Sequence, residues 1–166
     1  ERGTMEALMA TPATMSEILI GKLIPYFILG MFSMLLCFIV AYFWYKIPFM
    51  GSFFILIILS SIYLFSSLSI GLLISTLAKN QFVAAQMSLI VGFLPAFILS
   101  GFLFEIGNMP QWLQYITSII PARYFVESLQ TIFLAGNIYE IFIFDAFIMI
   151  LISALLFAFV LKKSKK

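Results

Sequence analysis

The sequence contains no histidine, a single cysteine and few charged residues. Of its 166 residues, 10% are charged and 64% are hydrophobic, whereas soluble proteins carry about 25% charged residues. This deficit excludes an ordinary soluble domain and predicts an integral membrane protein. The missing histidine removes the commonest metal ligand and the commonest general base at neutral pH. The lone Cys37 excludes a disulfide framework and a cysteine-based metal site.

Enzyme motifs are absent as well. The sequence has no glycine-rich phosphate loop, no nucleophile–base set and no metal-ligand cluster. Its one basic cluster, Lys162-Lys163-Ser164-Lys165-Lys166, directly follows an apolar stretch and suits a membrane flank better than a nucleic-acid site. We therefore expect neither catalysis, nor a bound metal, nor a nucleic-acid partner.

Four long apolar stretches predict an all-α fold with four transmembrane helices. A helix needs about 20 apolar residues to cross a bilayer, and the stretches that qualify cover residues 23–45, 49–77, 82–104 and 141–161. Pro25 predicts a mild kink in the first span, and Pro95 predicts a bend in the third. We expect a single transmembrane domain over residues 1–166.

The basic residues predict how these spans are oriented. Lys22, Lys79 and the C-terminal lysines fall on one side of a four-span topology, and Lys46 and Arg123 fall on the other. Because cytoplasmic loops carry an excess of lysine and arginine, both ends of this chain are expected to be cytoplasmic. The chain begins at Glu1 and not at Met, so we expect a fragment that lacks an N-terminal part.

The first 22 residues are the segment best suited to meet a soluble partner. Thr4 offers a hydroxyl N-cap, and Glu6 lies in the first turn, where the helix dipole favours an anion. Pro12 then breaks the helix, and the pattern from Thr14 to Glu17 is a capping box that starts another. We predict a short amphipathic helix over about residues 4–10 and a second helix that enters the membrane. The alternative is a fraying cytoplasmic lead-in.

Residues 105–140 are too numerous for a plain turn and too apolar for a solvated loop. Asn108-Met-Pro110 predicts a helix start, and Pro121 separates this helix from a second one over about residues 122–135, capped by Gly136. Arg123 and Glu127 are spaced as an i,i+4 pair. We expect a re-entrant outer hairpin that dips into the outer leaflet.

Two features inside the spans suggest function. Small residues recur every four positions and predict close helix packing, within the subunit or between two subunits; they include Ser67, Gly71, Ser75, Ser88 and Gly92. The only ionisable candidate within a span is Asp145, which could line an outer exit path or hydrogen-bond at the headgroup level. Because the spans lack an ion relay, any transport is expected to be powered from outside the chain.

Several segments together resemble the ABC type-2 exporter permeases. They are the opening Glu-Arg-Gly-Thr-Met-Glu-Ala-Leu with Thr11-Pro12 and Glu17-Ile-Leu-Ile-Gly-Lys22, then Gly71-Leu-Leu-Ile-Ser-Thr-Leu-Ala78, Leu99-Ser-Gly-Phe102, Asn108-Met-Pro110, Pro121-Ala-Arg-Tyr-Phe-Val-Glu127 and Leu134-Ala-Gly136. They occur in the family's order and cover essentially the whole chain. Glu105 departs from the proline that family members more often have there.

The resemblance implies a half-transporter of six spans that works as a dimer with two separate ATP-binding subunits. Residues 1–12 would be the coupling helix that docks on such a subunit, followed by spans three to six and the outer re-entrant helices. The ATPase-coupling residues would be Glu1, Gly3, Thr4, Glu6, Leu8, Pro12 and Glu17. The outer gate and re-entrant positions would be Ser100, Gly101, Pro110, Pro121, Arg123, Glu127 and Asp145.

By the same resemblance, the chain would bind no cofactor itself, and ATP would be bound by its partner. It would lie in the bacterial cytoplasmic (inner) membrane among lipids, with a second permease subunit, identical or different, and a periplasmic adaptor as a further candidate partner. A membrane scaffold or assembly factor is one alternative, and an ion-coupled carrier that depends on Asp145 is another. The 20 Phe and 7 Tyr residues suit a path for amphiphilic or drug-like substrates, or they simply face lipid.

Overall fold

The computed structural model describes residues 15–78 and 80–164, which form helices and connecting segments without a strand. Helix α1 covers Met15–Ile39 and continues as a π-helical turn, Val40–Trp44. The others are α2 (Phe53–Leu77), α3 (Gln81–Ile98), α4 (Gln111–Thr117), α5 (Pro121–Leu134) and α6 (Tyr139–Ser164). Four of them, α1, α2, α3 and α6, are long and apolar enough to cross a membrane. The predicted all-α membrane fold is confirmed.

Two predicted spans differ from the helices at one end. The second span was expected from residue 49, but α2 begins at Phe53 because the preceding residues pack against the end of α5. The Ser52 N–H donates to Asn137 Oδ1 at 2.8 Å. At Gly51, an added Cβ would collide with Ile132, so no larger side chain fits at this crossing.

The third span was expected to reach residue 104, but α3 ends at Ile98. Gly101 has a φ of 90°, which takes the backbone out of the right-handed helical region. The Phe102 N–H donates to Ser100 Oγ at 3.4 Å. These two local features end the helix inside a stretch that stays apolar in sequence.

Helix α2 lies at the centre of the fold and packs against α1, α5 and α6. The buried core joins α2, α5 and α6, and its members are Leu56, Leu59, Tyr124, Ile132, Phe142 and Met149. Ser66 of α2 donates to the Met149 carbonyl of α6 at 3.0 Å, so the two helices approach closely at this small residue. Helix α3 lies at the edge and buries none of its residues.

Helix α5 runs alongside the first turns of α2. Its C-terminal half meets Gly51 through Ile132, and the Phe125 ring stacks on Tyr63 with centroids 4.3 Å apart. Tyr63 is ten residues into α2, which corresponds to about 15 Å of helix, or half of a typical hydrocarbon layer. The predicted re-entrant hairpin stays a prediction about the bilayer, and this packing is consistent with it.

Candidate functional site

The predicted coupling residues Glu1, Gly3, Thr4, Glu6, Leu8 and Pro12 lie outside the described residues. Glu17 is described and is exposed in the first turn of α1. The description of a candidate site therefore rests on the membrane helices and on the two short helices α4 and α5.

Asp145 is buried between α6 and α5. Only 1% of its surface is exposed, and one carboxylate oxygen, Oδ2, accepts a hydrogen bond from Ser128 Oγ at 2.7 Å. Ser128 itself is fully buried on the face of α5 that carries Tyr124 and Ile132. The carboxyl thus fastens α5 to α6. The structure shows a hydrogen bond between two helices, and a role of Asp145 on an outer exit path or in hydrogen bonding at the headgroup level stays a prediction.

Arg123 connects α5 to α4. Its Nη1 donates to Thr117 Oγ1 at 2.7 Å and to the Gln114 carbonyl at 3.3 Å. The predicted i,i+4 pairing is not formed, because these bonds direct the guanidinium to α4 while Glu127 remains exposed. A buried Tyr124 hydroxyl donates to the Ser118 carbonyl at 2.8 Å, and burial raises the pKa of Tyr124, which keeps the phenol protonated as a donor.

The other predicted outer residues are helix boundaries in the structure. Ser100 and Gly101 form the turn that ends α3. Pro110 is the exposed N-cap of α4, and the buried Pro121 is the first residue of α5. Arg123 lies on α5, and Asp145 lies on α6 against α5. Arg123 bonds Thr117 and Gln114, whereas Asp145 bonds Ser128.

The small residues predicted to pack helices together instead face an open space. Ser67 and Gly71 of α2 and Ser88 and Gly92 of α3 line one cavity of about 540 Å³, which we call the wide cavity. No heavy atom lies within 4 Å of an added Cβ at Gly71 or at Gly92. Ser75 is exposed and does not line the cavity. In the described part of the chain these positions make no tight helix–helix seam, and the prediction of a seam between two subunits stays a prediction.

Helix α3 is irregular where it borders the wide cavity. Its middle third, Ser88–Phe93, is π-helical, and the Leu94 N–H donates to the Leu89 carbonyl. Pro95 follows directly and has no N–H to offer the preceding turn. Single π-helical turns occur frequently at functional sites, and no pattern in the sequence marks this one except the proline.

A second cavity, of about 460 Å³, lies between α1, α2 and α5, and we call it the aromatic cavity. The residues that line it include Cys37, Phe38, Ser60, Tyr63, Phe125 and Phe133. Cys37 is exposed, whereas Ser60 is buried. No sequence pattern marks this cavity, because its walls come from three helices, two of which are far from the third in the chain.

Two hydrogen-bond partners were not predicted from the sequence: Ser128, which bonds Asp145, and Thr117, which bonds Arg123. A signal for Ser128 exists: it is spaced by four residues from both Tyr124 and Ile132, which marks one face of a helix. Thr117 carries no comparable signal, since its contact with Arg123 depends on the turn between α4 and α5.

Comparison with known proteins gives a consistent result. Residues 1–134 match the family model described as "ABC-2 type transporter". The chain is 48% identical over all 166 residues to the "Probable multidrug ABC transporter permease YbhS" of Escherichia coli (strain K12) and spans 44% of that protein. It is 37% identical over 134 residues, or 81% of the chain, to the "Probable multidrug ABC transporter permease YbhR" of the same strain and covers 36% of it.

A eukaryotic relative is more distant. The "ABC transporter G family member 20" of Dictyostelium discoideum is 26% identical over 134 residues, which are 81% of this chain and 18% of that protein. The chain thus spans less than half the length of these curated relatives. No solved structure matches the chain.

Proposed function

Because this chain belongs to the ABC-2 type transporter family, we propose that it is part of the permease subunit of an ATP-driven exporter. The observation that carries the proposal is 48% identity along the whole chain to a relative named as a multidrug permease. The cargo is accordingly an amphiphilic or drug-like molecule, moved out across the bacterial cytoplasmic membrane by alternating access. ATP is bound and hydrolysed by a separate subunit, and a second permease subunit and a periplasmic adaptor complete the assembly.

The chemistry of the spans supports a motor outside the chain. Among the aspartate, glutamate, lysine and arginine residues, Asp145 is the one that lies within the apolar part of the described spans. It is 1% exposed and bonded to Ser128, so it has a structural partner and little access to water. Ion-coupled carriers keep such groups on an ion path. The second candidate, an ion-coupled carrier, therefore has little support from this site.

A coupling role for residues 1–12 follows from the same proposal. These residues precede α1, whose exposed Glu17 lies in the first turn. Closure of the ATP-binding subunits would move this segment, and the helix break that the sequence predicts at Pro12 would transmit the displacement to α1. Both ends of the chain are then cytoplasmic.

The test uses the full-length permease in inside-out membrane vesicles, together with its ATP-binding subunit. We expect ATP to drive uptake of an amphiphilic dye, rhodamine 6G, into the vesicles. Glu6→Lys is expected to reduce both this uptake and the amount of ATP-binding subunit that copurifies with the permease. Glu140→Lys is the matched control, because Glu140 is an exposed glutamate at the opposite end of the spans.

Each outcome separates the candidates. If no nucleotide-binding protein copurifies and no dye moves, the membrane scaffold replaces the exporter. If dye uptake continues without ATP and is lost in Asp145→Asn, the ion-coupled carrier replaces it. ATP-driven uptake that survives Glu6→Lys would contradict the coupling role alone.

A further inference from the structure

Helix α3 changes its hydrogen-bond register midway along its length. Its N-terminal half, Gln81–Met87, and its C-terminal half, Leu94–Ile98, are α-helical, whereas Ser88–Phe93 between them is π-helical. We call Ser88–Phe93 the π segment. At its end the Leu94 N–H donates to the carbonyl five residues earlier, where an α-helix uses the carbonyl four residues earlier. The α register resumes directly afterwards, so the irregularity is confined to about one turn.

Three residues in and beside the π segment weaken an α-helix. Ser88 Oγ donates to the carbonyl four residues earlier at 2.8 Å, a bond that often bends helices. Gly92 has a low helix propensity, and Pro95 has no N–H. A single such residue is not sufficient: α1 contains Pro25, α2 contains Gly71 and serines with the same bond, and both helices keep the α register there. The combination distinguishes the middle of α3, and glycine, serine, proline and π turns are the known causes of helix kinks.

Pro95 penalises both registers of this helix. In the α register its ring would clash with the Val91 carbonyl, which lies four residues earlier. The wider π turn avoids that clash, but the donor for the Ile90 carbonyl is then residue 95, which has no N–H. A carbonyl without a donor is costly in lipid. Because each register carries a penalty, the difference in free energy between them is expected to be small.

From these features we propose that the π segment is a conformational hinge, at which α3 exchanges between the π and α registers. A change by one residue turns the C-terminal half relative to the N-terminal half by about 100° and moves it by about 1.5 Å along the axis. Each residue of the C-terminal half then points where the following residue pointed. Pro95 lines the wide cavity and Leu94 does not, so the α register brings Leu94 to this wall. The hinge is a property of the α3 backbone and does not rest on the proposed transport function.

Distances between pairs of spin labels measure this rotation by double electron–electron resonance. The full-length permease in lipid nanodiscs, without other cysteines, would carry one label at Ser75 of α2 and a second at Phe97 or at Ile98, all of which are exposed. Side chains reach about 5–6 Å from the helix axis, so a rotation of about 100° displaces a label by about 8 Å. Because neighbouring residues point about 100° apart, this rotation changes at least one of the two distances.

We expect two populations of distances in the unmodified α3, separated by up to about 8 Å in at least one of these pairs. A label pair at Phe54 of α2 and Gln86 of the N-terminal half, which are both exposed, is the control. It is expected to give a single population, because the hinge lies beyond Gln86.

Two variants are expected to select opposite registers. Pro95→Ala removes the ring and restores an N–H, so it should leave only the population of the α register. A π turn contains one residue more than an α turn. Deletion of Val91 in the Pro95→Ala protein should therefore also give one population, at the distance of the π register. Pro25→Ala is the matched control, since Pro25 lies within the regular helix α1, and it should leave both populations in place.

Several outcomes would overturn the hinge. They are a single population at both Phe97 and Ile98, two populations that Pro95→Ala leaves unchanged, and two populations that also appear in the Phe54/Gln86 pair, since α3 would then move as a rigid body. The same distance in Pro95→Ala with and without Val91 would contradict the change of register. Pro95→Ala makes α3 more regular, so the test does not depend on whether the deletion variant folds.

Discussion

The hydrogen bond from Ser128 to Asp145 should be the main polar attachment of α5 to α6. Ser128→Ala removes the donor at 2.7 Å from Oδ2 and leaves a carboxyl that is 1% exposed without this partner. Leaving a buried acceptor without its partner costs about 1–3 kcal/mol, whereas interhelical bonds in membrane proteins average about 0.6 kcal/mol with a maximum near 1.7. We therefore expect Ser128→Ala to lower the free energy of unfolding by about 1–2 kcal/mol.

A double-mutant cycle with Asp145→Ala measures the bond itself. Alanine removes the acceptor oxygen, so in the Asp145→Ala background Ser128→Ala no longer costs the bond. Unfolding in mixed micelles of mild detergent and dodecyl sulfate, followed by tryptophan fluorescence, gives the four free energies. The expected coupling energy between the two positions is about 0.5–1.5 kcal/mol.

Ser153→Ala is the matched control for this experiment. Ser153 is 1% exposed on α6, but its hydroxyl donates to the Ile150 carbonyl of its own helix at 2.8 Å. Its removal is expected to change stability by less than about 0.5 kcal/mol. Equal effects of Ser128→Ala and Ser153→Ala, or strictly additive effects of Ser128→Ala and Asp145→Ala, would refute the assignment of this bond as the attachment of α5.

Three further predictions concern the close approach at Gly51, the open space at Gly92 and the hydrogen bonds of Arg123. Gly51→Ala should destabilise the protein by about 1–3 kcal/mol, because its Cβ would collide with Ile132 and lie 2.9 Å from the Ile132 carbonyl oxygen. In the same unfolding assay, Gly92→Ala should be neutral or stabilising, because a Cβ added there meets nothing within 4 Å. Gly92→Leu should change the free energy of unfolding by less than about 0.5 kcal/mol. It should reduce ATP-driven dye uptake at least severalfold, because its side chain would enter the wide cavity. Full dye uptake by this variant would show that the wide cavity need not stay open. Arg123→Ala should lower stability by about 1 kcal/mol, since it removes the Nη1 that donates to both Thr117 Oγ1 and the Gln114 carbonyl; an unchanged unfolding midpoint would contradict this.

The sequence was sufficient for the class of fold because length and apolar composition determine which helices can cross a membrane. It was insufficient for helix ends that lie within apolar stretches. Phe49 and Phe104 are as hydrophobic as the spans they adjoin, so composition gives no boundary. The ends depend on the Ser100–Gly101 turn and on the crossing of Gly51 with α5, which are backbone geometries.

The sequence was also insufficient to identify which polar side chains hydrogen-bond to each other. Asp145 was recognised from sequence because a carboxyl inside a span is rare. Its partner Ser128 is 17 residues away, and spacing places it on the buried face of α5 without indicating which helix that face meets. The pairing is decided by how α5 packs against α6.

The small residues of the wide cavity carry more information about its role than its exposed apolar residues do, since apolar residues are expected on any surface that faces lipid. A large apolar side chain that faces lipid loses nothing, because lipid tails are as apolar as leucine. A glycine that faces lipid gains no packing energy either, and Gly71 and Gly92 expose backbone that a larger side chain would cover. These two glycines lie on two helices that line one cavity and leave backbone accessible there, so Gly92→Leu tests directly whether this access is needed for transport.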